Sequence, residues 1–505
     1  MKLRPIQTEA LNATIESMKA GGLYHLMVAS VSFGKTIYSS HLMQYALETH
    51  GAKCLFLAHL GELVQQTYDK FMKVAPHLET KTGIFAAGLA QKDVADITIG
   101  SRQSVARALK DFPAINLLII DECHLMGDDG EWDRIINHFK ALNPRLRVVG
   151  LTGTPYRMKT GYIYGDGKRW PKPCFEARMK DMTDQGYLCP IRYKMVVQDR
   201  LKSDLKGVNM VAGEYNNSQL GNVMSEKVHM QSVQHALEKY AVDRKSIIVF
   251  ATNIAHAEAL AEMLGCKAVH SRLPKKEWRE AVDRLKAGYD RVIVNVGQMT
   301  IGFDAPNVDC AIIARPTKSP ALYVQIVGRV VRINSDKEDA LILDLVGNYE
   351  EHGSPYEPIV TVAGNKKKEP EFNICPDCFE LAEPDEEYCP YCGAPMKEQI
   401  ERRAKKKQYE RRQLELKDIE LNSKKVVKKW VKPNHRTKKG FMGTLYCIKI
   451  QGREMPLFKF ETRGAKGKVK EMFDQIVVGE RYLIEKTKFG EWISKTQVNT
   501  LNRSQ

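Results

Sequence analysis

Eight residues near the start of the chain, Ala29-Ser30-Val31-Ser32-Phe33-Gly34-Lys35-Thr36, have the types and spacing of a loop that grips phosphate. An apolar run, Tyr24 to Ala29, precedes the loop and a helical pattern follows it. Backbone N–H groups at the start of that helix would cradle phosphate oxygens. Lys35 is placed to reach the β- and γ-phosphates of a nucleoside triphosphate, and the Thr36 hydroxyl to ligate Mg²⁺. Ser32, Phe33 and Gly34 form the turn around the phosphates.

A second apolar run, Leu117 to Ile120, ends in Asp121-Glu122-Cys123-His124. A carboxylate at a strand end can hold Mg²⁺ through water, which suits Asp121, and its neighbour Glu122 can orient and polarise an attacking water. Cys123 reads as a small packed residue rather than a nucleophile. Hydrolysis of a γ-phosphate also needs positive charge where negative charge shifts. Gln325, Gly328, Arg329 and Arg332 follow a Gln-x-x-Gly-Arg-x-x-Arg spacing. The two arginines, three apart, are expected to share a helix face, one acting as an arginine finger.

Four of the eleven cysteines form a third constellation. Cys375, Cys378, Cys389 and Cys392 are spaced C-x₂-C-x₁₀-C-x₂-C, two thiolate pairs that suit a closed tetrahedral Zn²⁺ site. Four thiolates leave no open position, so the expected zinc is structural.

These residues need elements to hold them. Residues 1–195 alternate short apolar runs with amphipathic stretches, the pattern of strands buried on both faces of a parallel sheet. Residues 235–360 repeat it, with 196–234 as a connecting segment. The expected fold is therefore α/β, with two tandem lobes built on parallel sheets. A small zinc-binding module with four cysteine ligands at 366–396, a charged helical linker at 397–423 and a small β-rich domain at 424–505 follow. From residue 401 onward 28 Lys and Arg stand against 12 Asp and Glu, so this block carries the whole net charge of +16. Trp430, Phe441, Tyr446, Phe458, Phe460 and Trp492 are interleaved with those cations. A basic, aromatic-rich block suits a single-stranded polyanion, and an OB-like barrel is one form it could take; a small β core with a solvated surface explains the aromatics as well.

Together the motifs resemble the DEAD/DEAH group of helicase superfamily 2, as a DECH variant. The resemblance implies two RecA-like lobes that share one ATP. It assigns adenine contacts to Arg4 and Gln7 in Leu3-Arg4-Pro5-Ile6-Gln7, and coupling of hydrolysis to lobe closure to Leu151-Thr152-Gly153-Thr154-Pro155. In Met299-Thr300-Ile301-Gly302-Phe303-Asp304-Ala305-Pro306 it places Thr300 and Gly302 on the nucleic-acid backbone and Asp304 on the nucleotide. His59, Ser101, Arg102, Gln103 and Thr252 would grip phosphates of a bound strand. Ala29 stands at the first glycine of the general loop pattern, and Ser32-Phe33 replaces a Gly-small pair usual in the superfamily. Serine lacks glycine's freedom in φ, so slow turnover is expected.

More narrowly, the chain resembles the RadD-type DNA repair ATPases. Ile84-Phe85-Ala86-Ala87-Gly88-Leu89, Gly186-Tyr187-Leu188-Cys189-Pro190 and the paired cysteines carry that likeness. It implies a role in repair, recombination or replication, with single-stranded or branched DNA, a single-stranded-DNA-binding protein or a recombinase as partners. A phage-borne relative fits the compact length. Three other readings stay open: an RNA helicase, a nucleic-acid-binding scaffold with weak turnover, and the motor subunit of a restriction-type system. The sequence shows no apolar run long enough to span a bilayer and no secretory signal at its start, so a cytoplasmic location without membrane partners is expected.

Overall fold

The structure is a computed structural model that describes residues 1–58, 61–127, 130–158, 160–297, 305–360, 370–401, 404, 423–436, 442–450, 457–462, 474, 481–487 and 490–497. Residues 1–396 and 397–505 form two compact units.

The first unit holds two sheets. Strands β1 (Tyr24–Ala29), β2 (Cys54–Ala58), β3 (Thr82–Ala86), β4 (Gln91–Lys92), β5 (Ile97–Ser101), β6 (Leu117–Ile120), β7 (Arg147–Thr152) and β8 (Phe175–Ala177) form the first sheet. Their order is β8-β1-β7-β6-β2-β5-β3-β4. The pairings are parallel except that of β3 with β4. Helices cover both faces, so β2 and β6 are buried along their whole length. That is why they read as unbroken apolar runs rather than alternating ones.

The second sheet contains β9 (Ile191–Met195), β10 (Ile247–Phe250), β11 (Lys267–Val269), β12 (Val292–Asn295), β13 (Cys310–Ile313) and β14 (Ala340–Asp344). It is all parallel, in the order β9-β14-β13-β10-β12-β11. One boundary differs from expectation. Strand β9 precedes residue 196 yet pairs residue for residue with β14, so the second lobe takes its edge strand from before the connecting segment. An apolar run announces that a strand is buried, but not which sheet it joins.

The cysteine module packs on the open side of β9. Lys194 and Glu380 form an antiparallel bridge, and the Met195 N–H donates to the Phe379 carbonyl at 3.1 Å. Glu380 is fully buried. Its Oε1 accepts from Arg192 Nη2 at 2.7 Å, and Lys194 Nζ lies 3.2 Å from it. The Lys194 ammonium also donates to the Cys378 carbonyl at 2.7 Å. A buried carboxylate without cations would be very unfavourable; two cations from one strand make it a fixed attachment.

In the second unit, β15 (Ser423–Arg436), β16 (Met442–Ile450), β17 (Leu457–Thr462), β18 (Arg481–Thr487) and β19 (Gly490–Gln497) form an antiparallel sheet. The order is β17-β16-β15-β18-β19. The long β15 serves both halves: residues 426–436 pair with β16 and residues 423–425 with β18. Cα atoms of β17 and β19 approach within 8 Å, so the sheet curls toward closure. The helical linker expected at 397–423 falls almost wholly outside the described residues.

Candidate functional site: a cleft between two lobes

Three adjacent strands of the first sheet, β1, β7 and β6, end at one side of a cleft, where open parallel sheets gather ligand-binding loops. The cleft encloses about 830 Å³. Ser32, Gly34, Lys35 and Thr36 line it from the turn after β1, and Asp121 and Glu122 from the end of β6. Gln325, Arg329 and Arg332 line it from the second lobe. The catalytic residues expected from sequence thus meet in one cavity.

The phosphate loop runs from β1 into the helix Lys35–His50, with Gly34 as its N-cap at φ 91°. A Cβ at Gly34 would lie 2.6 Å from Gln7 Nε2, so only glycine fits between the loop and the N-terminal motif. Ser32 also has positive φ, at 71°. A non-glycine residue there is strained by about 1–2 kcal/mol. Its hydroxyl compensates by spanning the cleft. It accepts from Arg332 Nε at 3.0 Å and donates to the Gly328 carbonyl at 3.3 Å. Gly328 in turn sits on Val31 so closely that a Cβ there would meet the valine Cβ at 2.5 Å.

Phe33, expected to touch the nucleotide, has a fully buried ring that packs near Tyr38 and Phe175. Its backbone carbonyl accepts from Arg4 Nη2 at 2.7 Å and Gln7 Nε2 at 2.8 Å. The two adenine-reading candidates therefore brace the loop directly. Arg4 lines the cleft and lies over the Tyr187 ring, 5.4 Å from its centroid. Sequence reasoning gave Tyr187 no role of its own; the signals were its place in the segment joining the lobes and in the Gly186–Pro190 motif.

Lys35 Nζ lies 3.5 Å from Glu122 Oε1. Burial and the neighbouring Glu122 charge raise the Asp121 carboxyl above the usual range, against the pull of Lys35. Burial would raise Glu122 as well, but Lys35, His124 and Arg329 together outweigh it and hold that carboxyl well below the ordinary value. Glu122 has φ 48°, a left-handed conformation that rarely persists unless its surroundings impose it. His124 Nδ1 sits 2.9 Å from Thr152 Oγ1 and 3.3 Å from Glu122 Oε2, linking the acidic strand end to the end of β7. Spacing alone does not reveal that bridge, although both residues lie in recognised motifs.

The expected helix face for Arg329 and Arg332 is corrected by the structure. The helix Pro320–Val327 stops before both, and residues 328–330 form a turn. Both arginines reach the cleft from the irregular chain after the helix end.

The four described strand-gripping residues, Ser101, Arg102, Gln103 and Thr252, do not line this cavity. Ser101 caps the short helix Arg102–Arg107, accepting from the Ser104 N–H. Arg102 pairs with Glu131 at 3.1 Å and lies over the Trp132 ring. Gln103 is exposed, whereas Thr252 is buried with its N–H on His256 Nδ1 at 3.2 Å. His59, Thr300, Gly302 and Asp304 lie outside the described residues.

The donors fit a triphosphate with Mg²⁺. Beside the loop's backbone, the Ser30 hydroxyl is buried with no hydrogen-bond partner among the described residues. The cysteine cluster passes a similar test. Its four Sγ atoms lie within 4.8 Å of one another, with Cys375–Cys392 at 3.5 Å and Cys378–Cys389 at 3.7 Å. Zn–S bonds of about 2.3 Å in a tetrahedron put sulfurs about 3.8 Å apart. Each pair closes in the same way: the Phe379 N–H donates to the Cys375 carbonyl and the Gly393 N–H to the Cys389 carbonyl. Phe379 and Gly393 both have positive φ, 62° and 72°.

Comparison with known proteins agrees with this geometry. Residues 1–157 match the family profile described as type III restriction enzyme, res subunit, and residues 229–334 that of the helicase conserved C-terminal domain. The two profiles fall on the two lobes, and the chain resembles the helicases of superfamily 2. It is similar to IRC3 of Saccharomyces cerevisiae, which carries an ATP-dependent helicase name: 26% identity over 364 residues, 68% of this chain and 51% of that one. A 51.5 kDa protein of a Lactococcus phage is 28% identical over 374 residues, covering 71% of this chain and 75% of the phage protein. The ATP-dependent DNA helicase UvsW of phage T4 is 20% identical, covering 62% and 63%. The chain thus spans about half the length of the yeast relative. An HsdR-type fragment of a type I restriction enzyme from Vibrio vulnificus shares the fold, with a TM-score of 0.53 and 21% identity over 75% of this chain and 70% of that one. Among the described residues no helix is long and apolar enough to cross a membrane.

Proposed function

We propose that the protein is an ATP-driven nucleic-acid motor that translocates on or remodels DNA. The observation that carries this reading is the cleft itself, where Lys35, Thr36, Asp121 and Glu122 face Arg329 and Arg332. The loop backbone and Lys35 bind the phosphates, while Tyr187 and Arg4 flank the base. Glu122, kept ionised, orients the attacking water. Arg329 and Arg332 meet the charge that develops on the γ-phosphate. Mg²⁺, held by Thr36 and through water by Asp121, would neutralise charge between the terminal phosphates. Because the groups are split between lobes, ATP draws the lobes together and product release lets them part, changing their grip on a strand.

The four cysteines suit one structural zinc. The curled basic sheet of the second unit suits an OB-like domain for single-stranded or branched DNA. A role in repair, recombination or replication, in the cytoplasm, fits the RadD-type likeness. The restriction-type profile favours a second reading, the motor subunit of a restriction system, for which a separate chain would do the cutting.

The test is ATP hydrolysis with single-stranded, branched and duplex DNA and with RNA. DNA should stimulate turnover, and Lys35→Ala should abolish it. If the intact chain with every nucleic acid hydrolyses no more than Lys35→Ala, it is no motor; stimulation by RNA alone would make it an RNA helicase.

A further inference from the structure

Lys337 is a cation that the cleft reading does not use. Lys337 lies in the chain between Arg332 and β14, mostly buried. Its ammonium donates to three carbonyls: Val308 at 2.7 Å, Arg332 at 2.8 Å, and Val330. Among the described residues it forms no ion pair. A largely buried lysine whose hydrogen bonds all go to carbonyls is unusual, because burial penalises the charge and the nearest carboxylates, Asp309 and Asp339, act only at a distance.

Its acceptors explain why it is there. The helix Pro320–Val327 ends before the two arginines, so the carbonyls beyond it lack helical partners. Val330, Val331 and Arg332 offer theirs in succession. Lys337 takes the first and third, the Cys189 N–H takes the second at 2.8 Å, and Cys189 Sγ also donates to the Arg332 carbonyl at 3.4 Å. A cation also suits the negative end of the helix dipole. The third bond, to Val308, ties this turn to the start of β13. The arginine turn is therefore held from outside by the Lys337 and Ser32 side chains and one segment of the inter-lobe connection rather than by regular structure.

We propose that Lys337 is the positioning residue that fixes the turn carrying Arg329 and Arg332, so that both arginines face the ATP site. This rests on the cleft being an ATP site. Lys337 touches neither substrate nor reacting atoms in this role; it acts through the backbone of the arginines.

An ammonium has three N–H donors for three carbonyls; a neutral amine has two. Burial lowers the Lys337 pKa to about 8, opposed by Cys189, Asp309 and Asp339, with Arg332 lowering it further. Asp309 is itself bound to the N–H groups of Lys245 and Ser246, and Asp339 to Arg244. As pH rises through about 8 the third bond is lost and the turn loosens.

The test uses the full chain and its Lys337→Met and Lys337→Arg variants. With saturating DNA and MgATP, the intact chain's kcat should fall as pH rises through about 8 while ATP affinity holds. Lys337→Met should lose kcat on the order of 10²-fold, as misplaced reacting groups do, and lose that alkaline limb. Lys337→Arg, which stays charged, should retain more activity and shift the limb upward. Hydrogen exchange at neutral pH reads the turn without activity: amides of residues 328–333 should exchange faster in Lys337→Met, with β10 unchanged. Unchanged exchange there overturns the proposal, as does an alkaline limb in the same place in Lys337→Arg. If the intact chain fails to hydrolyse ATP, the exchange result still decides the role of Lys337, so the two readings fail separately.

Discussion

The two sides of the cleft are built differently. On the first-lobe side, the phosphate loop and the acidic pair leave the ends of two strands that flank β7, and the sheet fixes where each begins. On the second-lobe side, Arg329 and Arg332 sit past the end of a helix, in a turn held by Lys337 and Cys189. Changes on the first side should remove chemistry and leave the framework standing. Changes on the second should misplace groups that are still present. Such an asymmetry suits a site where one wall is fixed and the other arrives with lobe closure.

The sharpest way to break this comparison is to remove one charge from each wall. Arg329→Ala should lower kcat by about 10³-fold or more, the worth of an arginine finger, and Glu122→Gln by about 10²–10⁴-fold. Both should keep ATP binding. Steady-state kinetics beside direct nucleotide binding checks this, and a loss of affinity without a loss of kcat would refute it. Next in size is Cys375→Ser. Metal content should drop from about one zinc per chain to none, and melting should fall by several degrees, with the damage confined to the second lobe's edge. Elemental analysis that finds no zinc in the intact protein would refute the metal site.

The smallest effects belong to Ser32, where the walls touch. Ser32→Ala keeps the backbone strain and removes the hydroxyl, so kcat should fall by roughly fivefold, the worth of about one hydrogen bond. Ser32→Gly removes the strain as well and should lose less. Equal kcat in the intact chain and Ser32→Ala would mean that the contact with Arg332 carries nothing.

Much of the first wall was legible because its chemistry is local in the chain. A glycine, a lysine and a threonine after an apolar run, or two carboxylates after another, announce themselves. The paired cysteines did too. The second wall was legible only as residue types. Residues 325–332 keep helical spacing past the point where the helix ends, so the sequence alone suggested a shared face. Nothing in the spacing marks Lys337, since its acceptors are loop and turn carbonyls, and the fold brings the most distant of them, that of Val308, to it. The Phe33 ring is buried near Tyr38 and Phe175, and a loop position says little about which way a ring packs. Strand β9 shows the same limit at larger scale. Its burial was readable and its sheet was not, because the partner strand β14 lies far along the chain, with Ile191 facing Ala340.

With zinc in the cysteine cluster, as proposed, that strand would also link metal supply to the fate of the protein. Strand β9 is the outermost of its sheet, and the cysteine module occupies its open side through Lys194 and Glu380. An uncovered strand edge is a template for pairing with another copy. Chains synthesised under metal starvation would therefore clump through this edge, even with an intact cleft. Scarcity would be felt first as lost soluble protein, and only afterwards as lost activity per molecule.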